Sequence, residues 1–331
     1  MRETVVITGA SAGVGRATAR AYGRRGARVG LIARGREGLE AAKREIEELG
    51  GEALVLPLDV ADHDAVERAA AAVEAAFGPI DVWINNAMLS VFSPIMEMTP
   101  DEYRRVTDVT YLGTVWGTLA ALRRMKPRDR GAIVQVGSAL AYRGIPLQSA
   151  YCAAKHAMQG FHDSLRSELI HDGSNVRVVM VQLPAMNTPQ FGWVKSHLPR
   201  RAQPVGKIFQ PEVAAEAIVW AASSDRREVN VGSPTSAAII GNNFIPGFAD
   251  WYLAKHGWDE QMLDEPEPPD RPHNLWSPLP GDAGAHGAFD ERARPVSVAM
   301  ELNKRRGWLA GAIGLIAAIK VFLLLRLRRR R

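Results

Sequence analysis

A single cysteine, Cys152, stands in 331 residues. No disulfide can form within the chain, and a thiolate zinc site is out of reach. The eight histidines, His156, His162 and His171 among them, do not fall into metal-ligand spacings. There is no internal repeat. The chain enters a β-branched strand at Thr4, so no secretory signal is expected. Acid is missing from residues 304–331, which hold nine of the 41 basic side chains. Residues 1–303 therefore carry 32 basic against 36 acidic side chains, a net charge near −4. A body of that charge excludes nucleic-acid binding by bulk electrostatics and confines the basicity to the tail.

What is present is an alternation. Val/Ile/Leu-rich runs at Thr4–Thr8, Arg28–Ala33, Ala53–Leu58, Asp81–Asn85, Ala132–Val136 and Val176–Gln182 read as strands covered on both faces. Helical patterns lie between them, near 14–25, 36–49, 62–77, 101–125 and 149–171. A further helix near Pro211–Ala222 and a short strand near Glu228–Val231 would close the unit. This order predicts an α/β fold, a Rossmann-like doubly wound parallel sheet, over residues 1–232. Residues 233–260 read as an apolar, aromatic extension and 261–303 as a Pro-rich extended linker.

The stretch "TGASAGVG", Thr8 to Gly15, joins the first strand to the first helix. That is the context of a dinucleotide-binding turn, although a tight βα turn looks the same. "YCAAK" puts Tyr151 and Lys155 four apart, on one helix face. A phenol with a pKa near ~10 needs a cation beside it to serve as an acid–base group at neutral pH. Lys155 can be that cation, and a pair on a solvated helix face is the plain alternative. Ser138, in "VGSALAY", falls just past a strand end, where ligands bind in such sheets.

Together these residues resemble the short-chain dehydrogenase/reductase family over about residues 3–232. The resemblance rests on Thr8 to Gly15, "LDV" (Asp59, Val60), "NNA" (Asn85 to Ala87), Ser138, Tyr151 with Lys155, and "LPAMNTP" (Pro184 to Pro189). It implies that Tyr151 is the general acid or base, that Lys155 lowers its pKa and binds the nicotinamide ribose, and that Ser138 holds the substrate oxygen. It also implies a cofactor held by Gly9, Ser11, Gly13, Val14, Gly15, Asp59, Val60, Asn86, Pro184 and Thr188. A small alcohol or carbonyl substrate and a homo-oligomer are expected. Two positions depart from the pattern: Thr110 stands where the family carries a relay asparagine, and Met88 where glycine is usual.

Arg34, in "LIARGRE", occupies the position where an acid would select NAD(H). A guanidinium suits a phosphate, so NADP(H) is expected over NAD(H), with Arg36 or Arg16 as helpers. Phe191, Trp193 and Phe209 suggest an apolar substrate pocket, and hence a lipophilic substrate. Cys152 reads as a small packed residue. The run Trp308–Leu325 is apolar except Lys320 and precedes five arginines. A helix there would span ~27 Å, close to a bilayer core. Residues 304–331 are therefore expected to attach to membrane lipid, with the catalytic body on the cytoplasmic face. A catalytically weak, membrane-attached nucleotide-binding scaffold is the competing expectation.

Overall fold

The computed structural model describes residues 2–305. Seven parallel strands form its centre: β1 (Thr4–Thr8), β2 (Arg28–Ala33), β3 (Glu52–Pro57), β4 (Val82–Asn85), β6 (Ala132–Ser138), β7 (Arg177–Leu183) and β10 (Glu228–Asn230). A short strand, β5 (Val91–Phe92), lies between β4 and β6 in the chain. The sheet order is β10-β7-β6-β4-β1-β2-β3. The order reverses beside β1, which opens a crevice at the carboxyl ends of β1 and β4, the ligand position in such folds.

The crossover helices are α1 (Gly13–Gly23), α2 (Arg36–Glu48), α3 (His63–Phe77), α4 (Pro100–Val106), α5 (Gly113–Met125), α6 (Ser149–His171) and α7 (Pro211–Ala222). They divide the core into two clusters. Val5, Ile7, Val29, Leu31 and Val134 pack in one; Val6, Ile32, Trp83, Ile133 and Val178 pack in the other. Alternate residues of each strand thus face opposite layers, which is why these strands read as unbroken apolar runs.

Two expectations are corrected. The helix expected over 101–125 is broken by a π-helical turn, Thr107–Leu112, between α4 and α5. Residues 261–303 do not form a free linker. Strand β11 (Met262–Pro266) pairs antiparallel with β9 (Arg200–Ala202), which follows the short β8 (Lys195–Ser196). Leu275, Ala285, Phe289 and Met300 are buried, and α10 (Val298–Lys304) lies near β10, with Asn303 donating to the Asn230 carbonyl. Between these, α8 (Ser233–Phe244) and α9 (Pro246–Lys255) expose Phe244, Phe248, Trp251 and Tyr252. Among the described residues no helix is long and apolar enough to cross a membrane. The run Trp308–Leu325 lies outside them.

Candidate active site

The loop after β1 is shaped by close approach. Gly9 and Gly13 have φ of +68° and +57°, a region glycine occupies without strain. A Cβ on Gly15 would stand 2.1 Å from the Gly9 carbonyl oxygen, so only glycine lets α1 begin there. Thr8 fastens this loop to the end of β4: its Oγ accepts from the Asn86 and Ala87 N–H groups at 2.9 and 3.0 Å. The Asn86 amide donates to the Thr8 and Gly9 carbonyls at 3.0 and 3.3 Å. Asn86 thus acts on the loop as well as on the cavity wall.

A cavity of about 640 Å³ runs from this loop to Ser138, Tyr151 and Lys155. Gly9, Ser11, Gly13, Val14, Arg34, Asp59, Val60 and Asn86 line it, and so do Ser138, Tyr151, Lys155, Pro184 and Thr188. Thr188 stands beside Gly13. Gly15 is not on the wall; its part is the close approach to Gly9. Met88, Phe191 and Trp193 reach the cavity, whereas Phe209 is core, bridged to Met186.

Helix α6 carries Tyr151 and Lys155 on one face, as spaced. Lys155 is 3% exposed; its ammonium lies 5.5 Å from the Tyr151 ring centroid and donates to the Val136 carbonyl at 2.7 Å. Burial drives its pKa down from 10.5 to about 7. Burial also pushes the Tyr151 phenol well above its ordinary value, with the hydrogen bond to Ser138 pulling the other way. The Lys155 ammonium lies over the ring, and in this structure burial is the largest influence on the phenol. The Ser138 hydroxyl also accepts from the Leu140 N–H at 3.1 Å.

The lysine carries a stability consequence. Its charged form is disfavoured in the folded chain, so stability rises with pH between about 7 and 10.5 and bears the full cost below that window. Lys155→Met should melt at higher temperature than the native chain at pH 6, by at least ~1 kcal/mol of stability. The difference should shrink as pH rises toward 10.5. Melting curves at several pH values check this; a pH-independent difference contradicts it.

Three further expectations change. Thr110 does not line the cavity. It is buried in the π turn, where its hydroxyl donates to the Leu89 carbonyl at 3.0 Å and accepts the Leu89 N–H at 2.9 Å. Both bonds hold Leu89, so the hydroxyl's one proton is already spent and cannot be donated to a water beside Lys155. Arg16 neither faces solvent nor reads a ligand. It is 1% exposed, bonded to Glu45 at 2.6 Å and to Asp282 at 3.1 Å. Asp59 accepts from Arg105 and from the Ala61 N–H, so its carboxylate is engaged before any ligand arrives. Arg34 does line the cavity, but its guanidinium also donates to the Asn274, Leu275 and Trp276 carbonyls. Cys152 is buried, and burial pushes its thiol up, as suits a packed residue. Among the described residues no cluster could hold a metal.

The family model described as short chain dehydrogenase matches residues 3–197, more than half of the chain. The chain belongs to the short-chain dehydrogenase family. "Uncharacterized oxidoreductase YxnA" of Bacillus subtilis (strain 168) is 34% identical over 81% of this chain and 76% of its own length. The human "Dehydrogenase/reductase SDR family member 7" is 41% identical over half of each chain. Among solved structures, a metagenomic short-chain oxidoreductase in complex with NADP is 31% identical, with TM-score 0.59 over 69% of this chain and 96% of its own. An alcohol dehydrogenase from the archaeon Thermococcus sibiricus, complexed with 5-hydroxy-NADP, is 29% identical, with TM-score 0.59 over 70% and 95%. This is an oxidoreductase family whose members use nicotinamide dinucleotides. The cavity fits such a group: the loop's glycines allow its tight course against Asn86, Ala87 and Thr188, and one space reaches from Arg34 to Tyr151.

The segment missed from sequence is the one at the cavity's outer wall. Residues 274 and 278–283 line it. Their composition signals only a turn-rich linker, and Leu275, which is fully buried, has apolar neighbours in sequence such as Trp276 and Leu279 and no period that marks it as the anchor.

Proposed function

We propose that this chain is an NADP(H)-dependent oxidoreductase acting on a lipophilic carbonyl or alcohol. One observation carries this reading: Ser138, Tyr151 and Lys155 share a cavity with the glycine-rich loop and Arg34. When bound, the cofactor supplies or accepts the hydride. Tyr151, held protonated by its burial, is in the state needed to donate a proton to a carbonyl oxygen. Ser138 holds that oxygen through its hydroxyl. Lys155 contributes charge beneath the phenol and a donor toward the ribose. Arg34 gives a 2′-phosphate its partner. Met88, Leu140, Ile145, Phe191, Trp193 and Val205 make the substrate end apolar, which supports a lipophilic substrate. Consumption of NADPH with long-chain aldehydes or ketones, above that with short polar ones, is the expected result. NADPH binding without consumption across that panel is the signature of the scaffold reading, which the engagement of Thr110 with Leu89 favours.

The same reading places the protein on a lipid surface. It is supported by the apolar run followed by arginines in residues 304–331 and by the exposed aromatics of α8 and α9, where Phe248 and Trp251 stack at 5.7 Å. The full chain should float with anionic vesicles, and the chain cut after residue 305 should float poorly. A full chain left wholly in the unbound fraction contradicts the attachment.

A further inference from the structure

The segment 274–284 ties together two places that a dinucleotide must pass between. Its first anchor sits at the end of β2. Leu275 is fully buried in the second core cluster, and the Asn274 N–H donates to the Trp193 carbonyl at 3.0 Å. Arg34 holds three successive carbonyls, and Arg105 Nε donates to Leu275 at 3.1 Å. Its second anchor sits at the start of α1. Both Asp282 oxygens accept from Arg16, at 3.1 and 3.3 Å, and the Gly13 N–H donates to the Gly284 carbonyl at 3.1 Å. Between the anchors runs "SPLPG", stiffened by Pro278 and Pro280 and held to Glu37 through the Gly281 N–H. The underside of this span lines the same cavity as Tyr151, so the span roofs the cleft without filling it.

The two anchors differ in how they can yield. Releasing the first exposes a buried leucine and frees three carbonyls from one arginine. Releasing the second parts a carboxylate that is 41% exposed from Arg16. Arg16 keeps its bond to Glu45 and to the Ser11 and Gly38 carbonyls when that happens. No buried charge is left without a partner, the Gly13–Gly284 bond is the one backbone bond to α1 that parts, and Ala285 stays packed with Ala17 and Ala215, so the second anchor opens at the lower cost.

We propose that residues 274–284 are a strap over the cofactor cleft, that Asp282 is its latch, and that the dinucleotide enters and leaves when the latch opens and the strap lifts between the buried Leu275 and Ala285. This rests on the dinucleotide-binding reading of the site. Asp282 is a positioning residue: it acts through Arg16 and Gly284, whose N–H its Oδ1 accepts at 3.1 Å. A latch slows arrival and departure together, whereas a simple contact slows departure alone.

The test is stopped-flow measurement of NADPH association, and of its release into excess NADP+, on the full chain. The native chain is measured first; failure to bind NADPH would sink the dinucleotide reading and the strap with it. Asp282→Ala should raise both rates by about tenfold and change Kd less than either. Asp282→Asn keeps the acceptor for Gly284 but loses the charge, and should fall between. Glu37→Ala, at an exposed site, should raise both rates more modestly and serves if the Asp282 variants do not fold. A rise in release alone would make the strap a contact and overturn the latch. Unchanged rates in the folded variants, with native NADPH binding intact, would overturn the strap alone.

Discussion

Tyr151→Phe should lower turnover about a thousandfold, which is ~4 kcal/mol of transition-state stabilisation. Phenylalanine keeps the ring, so the packing against Lys155 and the shape of the cavity persist. It removes the phenolic proton that would pass to a substrate oxygen held by Ser138. The nucleotide is gripped elsewhere, by the glycine-rich loop and the wall around Arg34, so NADPH binding should stay near the native value. Steady-state rates and nucleotide titration of the same preparation measure both. Near-native turnover in this variant would remove Tyr151 from the chemistry.

Arg34→Gln should cut the preference for NADPH over NADH by tenfold to about a hundredfold, the worth of roughly one or two charge-assisted hydrogen bonds. The choice of glutamine follows from the structure. An aspartate would repel a 2′-phosphate, but it would also face the carbonyls of residues 274–276 and loosen the strap. Glutamine, although shorter and with fewer donors, keeps an N–H group toward those carbonyls and adds no negative charge against them. Kinetics with NADH should change little. An unchanged ratio of specificity constants would leave Arg34 as a strap anchor and place phosphate recognition elsewhere.

The parts of the molecule that were legible share a physical cause. Strands such as Val5–Ile7 and Val178–Val181 are covered on both faces, so they stand out as apolar runs. The glycine turn declares itself because close approach and positive φ leave few other residues possible. Tyr151 and Lys155 could be paired from helical spacing alone. The illegible parts lack such marks. The π turn at 107–112 adds one residue per turn without changing composition, and it carries Thr110 to Leu89 and away from the cavity. The segment 261–303 looks like a linker because its anchors, Leu275, Ala285 and Phe289, are single residues without period. Arg16 is the sharpest case. Its neighbours in sequence suggested solvent or ligand, and its partners, Glu45 and Asp282, are 29 and 266 residues away.

The most direct test of hydride transfer at this site is a single turnover with a lipophilic ketone and NADPH in which both hydrogens at nicotinamide C4 are deuterium. The product alcohol is then examined by mass spectrometry and NMR. The predicted result is one deuterium on the carbinol carbon, delivered from one face, with a slower rate than for unlabelled NADPH and no product from the Tyr151→Phe chain on the same timescale. Product without deuterium, or NADPH that binds and is never consumed with any carbonyl in the panel, would contradict the account.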